Sequence, residues 1–144
     1  MTITGILRGK GRDVVSVLPT QSIDAVCRVL AERRIGAVLV QDGGGDLLGI
    51  LSERDVVRAL ARHGAAVLTM SAEQLMTVDV EMAHPGTSVE QAMTVMTRGR
   101  FRHLPVVDEG ALVGLVSIGD VVKARLDEQA EEVDSLKAYV AGAA

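Results

Sequence analysis

The sequence predicts a mixed α/β (α+β) fold of two β-α-β-β-α repeats that pair about an approximate two-fold axis, followed by a C-terminal helix. Three observations lead to this prediction. The pattern GILSERD at residues 49–55 recurs as GLVSIGD at residues 114–120. Ser22 and Ser88 begin matching helical segments 66 positions apart. Short apolar runs alternate with segments of helical periodicity in both halves, as expected of a duplicated supersecondary unit.

The first repeat opens with a predicted strand, VVSVLP, which ends at its proline because proline cannot continue a ladder. A helix follows, with Ser22 as N-cap and Ile23, Val26 and Leu30 on one apolar face. AVLVQ and LLGIL flank the glycine-rich turn DGGGD and predict a β-hairpin. A second helix is predicted to begin near Ser52.

The second repeat is predicted to follow the same plan. VEMAHP predicts its first strand, and Ser88 with Gln91 has the spacing of a capping box at the start of an amphipathic helix. LPVV and LVGLV predict the second hairpin, and another helix is predicted near Ser117. We expect the first unit at residues 8–65, a linker with a short capped helix at 66–78, the second unit at 79–130 and a helical tail at 131–144.

Composition narrows the class of protein. The 144 residues are 48% hydrophobic but include one Phe, one Tyr and no Trp, so we expect an aliphatic core. A net charge of −4 and the scarcity of aromatic residues argue against nucleic-acid binding, which needs basic and stacking groups. The single Cys27 allows no internal disulfide, and no signal peptide or bilayer-length apolar run is present. We expect a soluble cytoplasmic protein with no membrane partner.

Residues that could carry catalysis or hold a metal are scattered along the chain. His63, His84 and His103 lack the spacing of metal ligands, and Cys27 lies on the apolar face of a predicted helix. The stretch GKGR lacks the glycine spacing and the Ser or Thr of a phosphate loop. Lys10 is therefore predicted to be a flexible surface lysine, with contact to the tail of a ligand as the alternative. We expect no metal cofactor and no enzymatic activity.

The two Ser-x-x-Asp sequences have two interpretations. Ser52 and Ser117 can cap the helices that follow them, with Asp55 and Asp120 near the positive helix ends. Aspartate is shorter than the Glu or Gln of a standard capping box and is expected to reach back less well. Alternatively, each carboxylate accepts from both hydroxyls of a ribose, while the serine hydroxyl and helix amides suit a phosphate. The duplication favours this nucleotide interpretation.

The motifs GILSERD, GLVSIGD and RHLPVVD, set in this tandem plan, resemble those of tandem CBS-domain proteins, in which two CBS domains form a Bateman module. The resemblance covers roughly residues 14–126, which leaves no room for an attached catalytic domain. It implies a stand-alone, non-catalytic regulatory module of the energy-sensing type that binds an adenosine-containing ligand in the cleft between its domains. AMP is the expected ligand, with ADP, ATP, S-adenosylmethionine and NAD(H) as alternatives.

The resemblance also implies roles for individual residues. Asp120 and Asp55 would bind ribose, and Ser117 and Ser52 would lie beside phosphate. The remaining expected site residues are Arg102 and His103 on the phosphate side of the second repeat, Pro105 in the strand that follows them, Arg54 leaning toward the shared cleft, and Val80 to Met82 and Val15 to Val17 beside adenine. The first repeat lacks counterparts of the two basic residues at that strand, so Asp120 is expected to mark the main site.

Tandem CBS domains of this kind form dimers through their helices. The resemblance therefore implies a homodimer, head-to-head or head-to-tail, that signals to a regulated protein by conformational change. The C-terminal segment predicts a helix with Val133, Leu136 and Val140 on one side, suited to the surface or to a dimer contact. Two alternatives remain. One is a purely structural dimerisation module without a ligand, and the other is an enzyme that uses Ser117 or Cys27.

Overall fold

The computed structural model describes residues 1–143, which form two compact units, each with its own apolar core. The first-repeat unit is Asp13–Val80, and the second-repeat unit is Met1–Arg12 together with the chain from Glu81 onward. In chain order the elements are α1 (Ile3–Lys10), β1 (Ser16–Val17), α2 (Ile23–Arg33), β2 (Ala37–Gln41), β3 (Leu47–Ser52), α3 (Glu53–His63), a 3-10 helix (Gly64–Thr69), α4 (Ala72–Leu75), α5 (Val89–Gly99), β4 (His103–Asp108), β5 (Ala111–Ser117) and α6 (Ile118–Ala143).

The two repeats follow the predicted β-α-β-β-α order, and the predicted fold class is confirmed. In the first-repeat unit, β1 pairs in parallel with β2, and β2 pairs antiparallel with β3. In the second-repeat unit, β4 and β5 form an antiparallel hairpin. The register of both hairpins shifts at the same place in the repeat, after Val40 and after Val106. The aliphatic side chains of these strands are buried in the two cores, as the composition predicted.

The first strand of each repeat is shorter than predicted. VEMAHP makes a single parallel bridge from Ala83 to Val106, in which the Ala83 N–H donates to the Pro105 carbonyl at 2.9 Å. The backbone then leaves the sheet, because the His84 N–H donates to Thr87 Oγ1 at 3.0 Å and closes a turn. VVSVLP is likewise reduced to the two-residue strand β1.

The first helix of each repeat is capped as predicted. Ser22 Oγ accepts from the Ala25 N–H at 3.2 Å at the start of α2. Ser88 and Gln91 form a reciprocal capping box at the start of α5, with distances of 2.9 and 3.0 Å. These bonds satisfy N–H groups that the first helical turn leaves without intrahelical acceptors.

Two helices outside the predicted repeat plan belong to different units. The helix α1, which sequence analysis did not anticipate, belongs to the second-repeat unit, where the Ile3 N–H donates to the Thr87 carbonyl at 2.9 Å. The helix α4 belongs to the first-repeat unit, where the Ala72 N–H donates to the Gln21 carbonyl at 2.8 Å. The two helices are therefore equivalent parts of the repeat. The helix α1 precedes the first repeat but belongs to the second-repeat unit, and α4 precedes the second repeat but belongs to the first-repeat unit.

The glycine that opens each seven-residue motif lets these segments approach the sheet. A Cβ on Gly114 would lie 2.8 Å from Leu7 Cδ2 of α1, and a Cβ on Gly49 would lie 2.6 Å from the Thr77 carbonyl oxygen. Thr77 also exchanges two backbone hydrogen bonds with Ile50, at 2.9 and 3.0 Å. A side chain at either glycine would collide with the segment packed over it, so close approach requires glycine at both positions.

Replacing Gly49 with alanine is expected to lower the free energy of unfolding by about 1–3 kcal/mol, because the new methyl group meets a fixed backbone carbonyl. Gly114→Ala is expected to be milder, because the Leu7 side chain can change rotamer. Urea unfolding followed by circular dichroism measures both changes. Gly43→Ala is the matched control, since a Cβ there meets nothing within 4 Å. An unchanged midpoint for Gly49→Ala would contradict the packing argument.

Candidate functional site

The Ser52–Asp55 pair of the first repeat forms a reciprocal capping box at the start of α3. The Asp55 N–H donates to Ser52 Oγ at 3.1 Å, and the Ser52 N–H donates to Asp55 Oδ2 at 2.9 Å. Ser52 is also the last residue of β3, so the cap joins strand and helix at one point. The position of the half-buried carboxylate is therefore set by the backbone of this junction.

The Ser117–Asp120 pair of the second repeat has the same geometry at the start of α6. The Asp120 N–H donates to Ser117 Oγ at 3.1 Å, and the Ser117 N–H donates to Asp120 Oδ2 at 2.8 Å. Both aspartates accept a hydrogen bond of ordinary length from the serine N–H, so the expectation that aspartate is too short to reach this N–H well is wrong. Capping is an observed role of both pairs.

Capping leaves part of each carboxylate available. In both boxes the serine amide bonds to Oδ2, and within residues 1–143 no group donates a hydrogen bond to Oδ1 of Asp55 or of Asp120. A carboxylate oxygen has two acceptor positions, so each Oδ1 can accept from hydroxyl groups without breaking the cap. The two interpretations of Ser-x-x-Asp are therefore compatible.

Lys10 makes the second-repeat carboxylate different from the first. Its Nζ lies 2.7 Å from Asp120 Oδ2 and 2.9 Å from the Leu115 carbonyl oxygen, which anchors the end of α1 to β5 and α6. Lys10 lies at the surface, as predicted, but these two contacts hold its side chain in place, so the prediction that it is flexible is wrong. Among the described residues, Asp55 has no such cation, because the ion pairs of this part of the chain do not include it.

The surroundings of Asp120 keep it ionised at neutral pH. Burial by itself raises the pKa of this carboxyl group. The hydrogen bond from Lys10, the bonds from Ser117 and the positive charge of Lys10 together outweigh burial, so the pKa of Asp120 lies below its ordinary value. The charged form is the one that accepts strong hydrogen bonds from hydroxyl groups.

The other predicted residues of the second repeat differ in burial and in their distance along the chain from Ser117. His103 pairs directly with Ser117 across the β4–β5 hairpin, and the carbonyl of the exposed Arg102 accepts from the Ile118 N–H at 2.8 Å. The hairpin therefore brings Arg102, His103 and Ser117 together. Pro105 is buried in β4, and Met82 is 45% exposed.

The remaining predicted residues belong to the first-repeat unit. Arg54 follows Ser52 by two positions on α3 and is half-buried. Val17 is 3% exposed and packs in the core, so its side chain has a packing role. Val80 is half-buried and is the last residue of this unit, whereas Met82 belongs to the second-repeat unit.

Sequence analysis missed two basic residues beside Asp55. Arg58 and Arg62 lie one helical turn apart on α3, and this spacing in RDVVRALARH was the signal that could have identified them. They line a groove of about 280 Å³, here called the arginine groove, whose lining residues are Asp55, Arg58, Ala59, Arg62, His63 and Leu75. A second groove of about 250 Å³ follows α6, and its charged lining residues are Lys10, Asp120, Lys123 and Asp127.

The described residues offer little to catalysis. Burial raises the pKa of the Cys27 thiol, and the nearby negative charge of Asp24 raises it further, so the reactive thiolate is disfavoured. Within residues 1–143, no group of three or more His, Cys, Asp and Glu side chains could hold a metal ion. No helix in this part of the chain is long and apolar enough to cross a membrane.

Comparison with solved structures places this geometry in a known fold family. The CBS-domain protein ATU1752 from Agrobacterium tumefaciens superposes with a TM-score of 0.84 at 48% identity, over 86% of this chain and 92% of that one. The CBS domain pair of MJ0100, solved in complex with 5′-methylthioadenosine and S-adenosyl-L-methionine, superposes with a TM-score of 0.76 at 25% identity, over 86% and 98% of the two chains.

Sequence comparison agrees. The CBS domain pattern matches residues 11–62 and 72–127. The CBS domain-containing protein CBSX3, mitochondrial, of Arabidopsis thaliana is 34% identical over 149 residues, which cover 98% of this chain and 72% of that protein. Two such domains account for both repeats. The chain therefore belongs to the CBS-domain family and carries a tandem pair of these non-catalytic regulatory domains.

Proposed function

We propose that the protein is a regulatory module that binds an adenosine-containing small molecule through its ribose. The single observation that carries this proposal is that Oδ1 of Asp55 and of Asp120 accepts no hydrogen bond from residues 1–143, because each cap uses only Oδ2. A ribose presents two adjacent hydroxyl donors, which a fixed carboxylate can accept together. Binding of two adenosine derivatives by the CBS pair of MJ0100 supports the same ligand class.

The energy of such contacts is sufficient for a metabolite sensor. A hydrogen bond to a charged group contributes about 1.5–3 kcal/mol, and micromolar affinity requires about 8 kcal/mol in total. A diol bound to one carboxylate therefore supplies a substantial fraction, and burial of the adenine ring supplies the rest. The ligand acts on a partner protein only if it binds two arrangements of the chain with different affinities.

The proposed ligand is AMP, with ADP, ATP and NAD(H) as alternatives that carry the same adenosine half. Ser117 and Ser52 accept the cap through Oγ, so each hydroxyl proton can still be donated to a phosphate. Arg102 and His103, brought beside Ser117 by the hairpin, are the proposed phosphate neighbours in the second repeat. Arg54 has that role in the first repeat, and the adenine neighbours are Met82 and Val80.

Lys10 gives the second-repeat site a charge of its own. The ammonium group holds Asp120 ionised and takes a position on Oδ2, so a ribose bound there shares its carboxylate with a lysine. A phosphate near this ammonium group would gain a charge-assisted contact. We propose that Lys10 favours phosphorylated ligands in the second repeat while it keeps the carboxylate charged.

The C-terminal half of α6 is the proposed surface for a second copy of the chain. Every residue from 129 to 142 is exposed, and a helix of this length without a partner is marginal in water. Leu126, Val133 and Val140 repeat at seven-residue intervals, which are the a positions of a coiled coil. Val122 and Leu136 occupy d positions of the same register, and Gln129 occupies the d position between them. The three residues Val133, Leu136 and Val140 are 50%, 63% and 62% exposed.

Charge also favours pairing of two copies in parallel. With Val133 at an a position, Glu132 occupies g and Lys137 occupies the following e, and these two positions face each other between parallel helices. Each copy then offers one acid and one base to its partner. We propose a homodimer in which α6 contributes to the contact, in a reducing compartment such as the cytoplasm, as the lone thiol Cys27 favours.

A structural dimerisation module without a ligand is the second candidate. The completed capping boxes favour it, because they account for both serines and both aspartates without any ligand. The two candidates differ in whether charge on the aspartates matters beyond the cap. Asparagine keeps an oxygen acceptor for the cap but lacks the negative charge, so it separates the two roles.

Asp55→Asn and Asp120→Asn are each expected to weaken AMP binding at their own repeat by about tenfold or more, the equivalent of about 1.4 kcal/mol. The thermal midpoint of Asp55→Asn is expected to change little, whereas that of Asp120→Asn is expected to fall because the ion pair with Lys10 is lost. Isothermal titration calorimetry with AMP, ATP and NAD(H) measures the affinity. Asp46→Asn, an exposed acid of the β2–β3 turn, is the matched control. Absence of heat and of thermal stabilisation with every adenosine ligand would overturn the proposed function and favour the structural module.

Lys10→Met is expected to raise the pKa of Asp120, which carboxyl carbon NMR measures directly. In the wild type the folded pKa is below the unfolded one, so the ionised carboxylate stabilises the fold at neutral pH. That contribution is lost as the pH falls through the folded pKa, and the variant is expected to lose less stability on acidification. Lys123→Met removes the same charge elsewhere on the α6 groove. Equal pKa values for Asp120 in the wild type and in Lys10→Met would contradict this account.

Leu136→Glu is expected to convert the dimer to a monomer, because it places a charge inside the proposed apolar seam. Size-exclusion chromatography with light scattering measures the mass. Ser135→Glu adds the same group at an adjacent exposed position and is expected to leave the dimer intact. Glu132→Lys alone is expected to weaken the dimer, and adding Lys137→Glu is expected to restore it. A wild-type chain that is monomeric at tens of micromolar would exclude this contact.

A further inference from the structure

The outer edge of the last hairpin strand is closed differently in the two repeats. In the first repeat, Ile50 on β3 exchanges two backbone hydrogen bonds with Thr77, at 2.9 and 3.0 Å. The counterpart of Ile50 in the second repeat is Leu115 on β5, 65 positions later. The Leu115 carbonyl accepts from Lys10 Nζ at 2.9 Å. A lysine ammonium group therefore takes the place that a backbone N–H holds in the first repeat.

The N–H of Leu115 has no acceptor within residues 1–143. Pro105 lies opposite Leu115, and its carbonyl accepts from the Ala83 N–H on the side away from β5. Where one residue of an antiparallel pair directs its backbone groups away from its partner, the other does the same. The N–H and the carbonyl of Leu115 therefore both face the outer edge, and only the carbonyl has a partner in this part of the chain. A half-buried backbone N–H without a protein acceptor is uncommon.

The helices α1 and α4 follow equivalent paths up to one residue and then separate. Both begin with equivalent backbone hydrogen bonds, and Leu7 and Met76 then lie against the glycines of the two motifs. At the next residue the paths differ. Thr77 forms an antiparallel bridge to β3, whereas Arg8 continues the helix for another turn. The same framework holds a short strand in one repeat and a helical turn in the other.

The last turn of α1 has a sequence that favours the helix only weakly. Gly9 lies within this turn, and glycine is among the poorest helix formers. The chain is also long enough for the alternative path. Nine positions separate Arg8 from Val17, whereas six separate Thr77 from Ala83, the counterpart of Val17. The turn can therefore unwind into a strand without stretching the connection that follows it.

Lys10 holds the last turn of α1 in its helical form. Its Nζ bonds to the Leu115 carbonyl and, at 2.7 Å, to Asp120 Oδ2. Within residues 1–143 the exposed side chain of Arg8 makes no hydrogen bond or ion pair that adds to this anchor. Asp79 lies two positions after Thr77, as Lys10 lies two after Arg8, and it is exposed and forms no ion pair in the described chain.

We propose that the last turn of α1 is a conformational switch between a helical and an extended arrangement. In the helical arrangement, Lys10 bonds to Leu115 and Asp120. In the extended arrangement, Arg8 pairs with Leu115 through both backbone groups, as the equivalent residues do in the first repeat, and Lys10 leaves Asp120. The change adds a short strand to β5 and removes a cation from the carboxylate. The switch needs no ligand, so it stands or falls separately from the ribose proposal.

The test uses the full chain without ligand at one fixed pH. Lys10→Met removes both contacts of the ammonium group and is expected to favour the extended arrangement. Hydrogen exchange of the Leu115 amide, followed by NMR, is expected to slow by at least about tenfold, because this N–H gains an acceptor. The α-carbon chemical shifts of residues 8–10 are expected to move from helical to extended values. Lys123→Met removes the same charge from the α6 groove and is the matched control.

A second substitution is expected to reverse the change. Gly9→Ala favours the helix, and a Cβ at this position meets nothing within 4 Å. Added to Lys10→Met, it is expected to return the population ratio toward the helical arrangement by about fivefold, as the helix propensities of the two residues imply. Gly43→Ala in the same background is the control, since its Cβ also meets nothing within 4 Å. Asp120→Asn weakens only one contact of Lys10 and is expected to give a smaller shift toward the extended arrangement.

Each other outcome overturns the switch. Helical chemical shifts at residues 8–10 together with unchanged exchange at Leu115, in both Lys10→Met and Asp120→Asn, mean that Lys10 does not hold the turn. Loss of the helical shifts without slower exchange at Leu115 means that the turn frays and forms no strand. Protection of Leu115 that rises with protein concentration identifies a strand of a second copy as the occupant of the β5 edge.

Discussion

The junction between the last strand and the last helix of each repeat is the constraint on which the site depends. The final serine of the strand and the aspartate three residues later satisfy each other's backbone amides, which the first helical turn cannot satisfy by itself. Loss of such a cap costs about 0.5–2 kcal/mol, so folding holds the carboxylate in place. The cap uses one carboxylate oxygen, Oδ2, and within residues 1–143 the other accepts no hydrogen bond. The same residue therefore serves the fold and remains able to bind a ligand.

Duplication gave this junction two copies, and the surrounding charges make them unequal. In the second repeat, Lys10 from a neighbouring helix pairs with the carboxylate at 2.7 Å, and an acid follows along α6. In the first repeat no cation of residues 1–143 forms an ion pair with the carboxylate, and two arginines follow along α3. A shared backbone with different side-chain charges is a simple way for one chain to distinguish two ligands of one class. The backbone keeps the position of the carboxylate, and the surrounding side chains set the local charge.

Packing explains why each seven-residue motif begins with a glycine. This residue has no direct part in ligand chemistry. Each glycine lies beneath a segment supplied by a distant part of the chain, α1 in one unit and Thr77 with its neighbours in the other. The sequence did not predict the helix α1, because its eight residues carry only a short apolar face and lie outside the repeat that is visible in the sequence. Lys10 was misjudged for the same reason. A lysine in GKGR has no partner in sequence, and its partner Asp120 is 110 residues away.

The sequence by itself determined the repeat plan, the hairpins and the capped helices, because those features depend on local periodicity and on residues three or four positions apart. It also singled out Ser52, Asp55, Ser117 and Asp120, since a duplicated motif is visible without coordinates. Tertiary structure decided which unit contains α1 and which contains α4, and which carboxylate pairs with Lys10. It also decided that the Val17 side chain is buried in the core. These outcomes depend on contacts between residues distant in the chain, whose pairing follows from packing of the whole unit and not from local pattern.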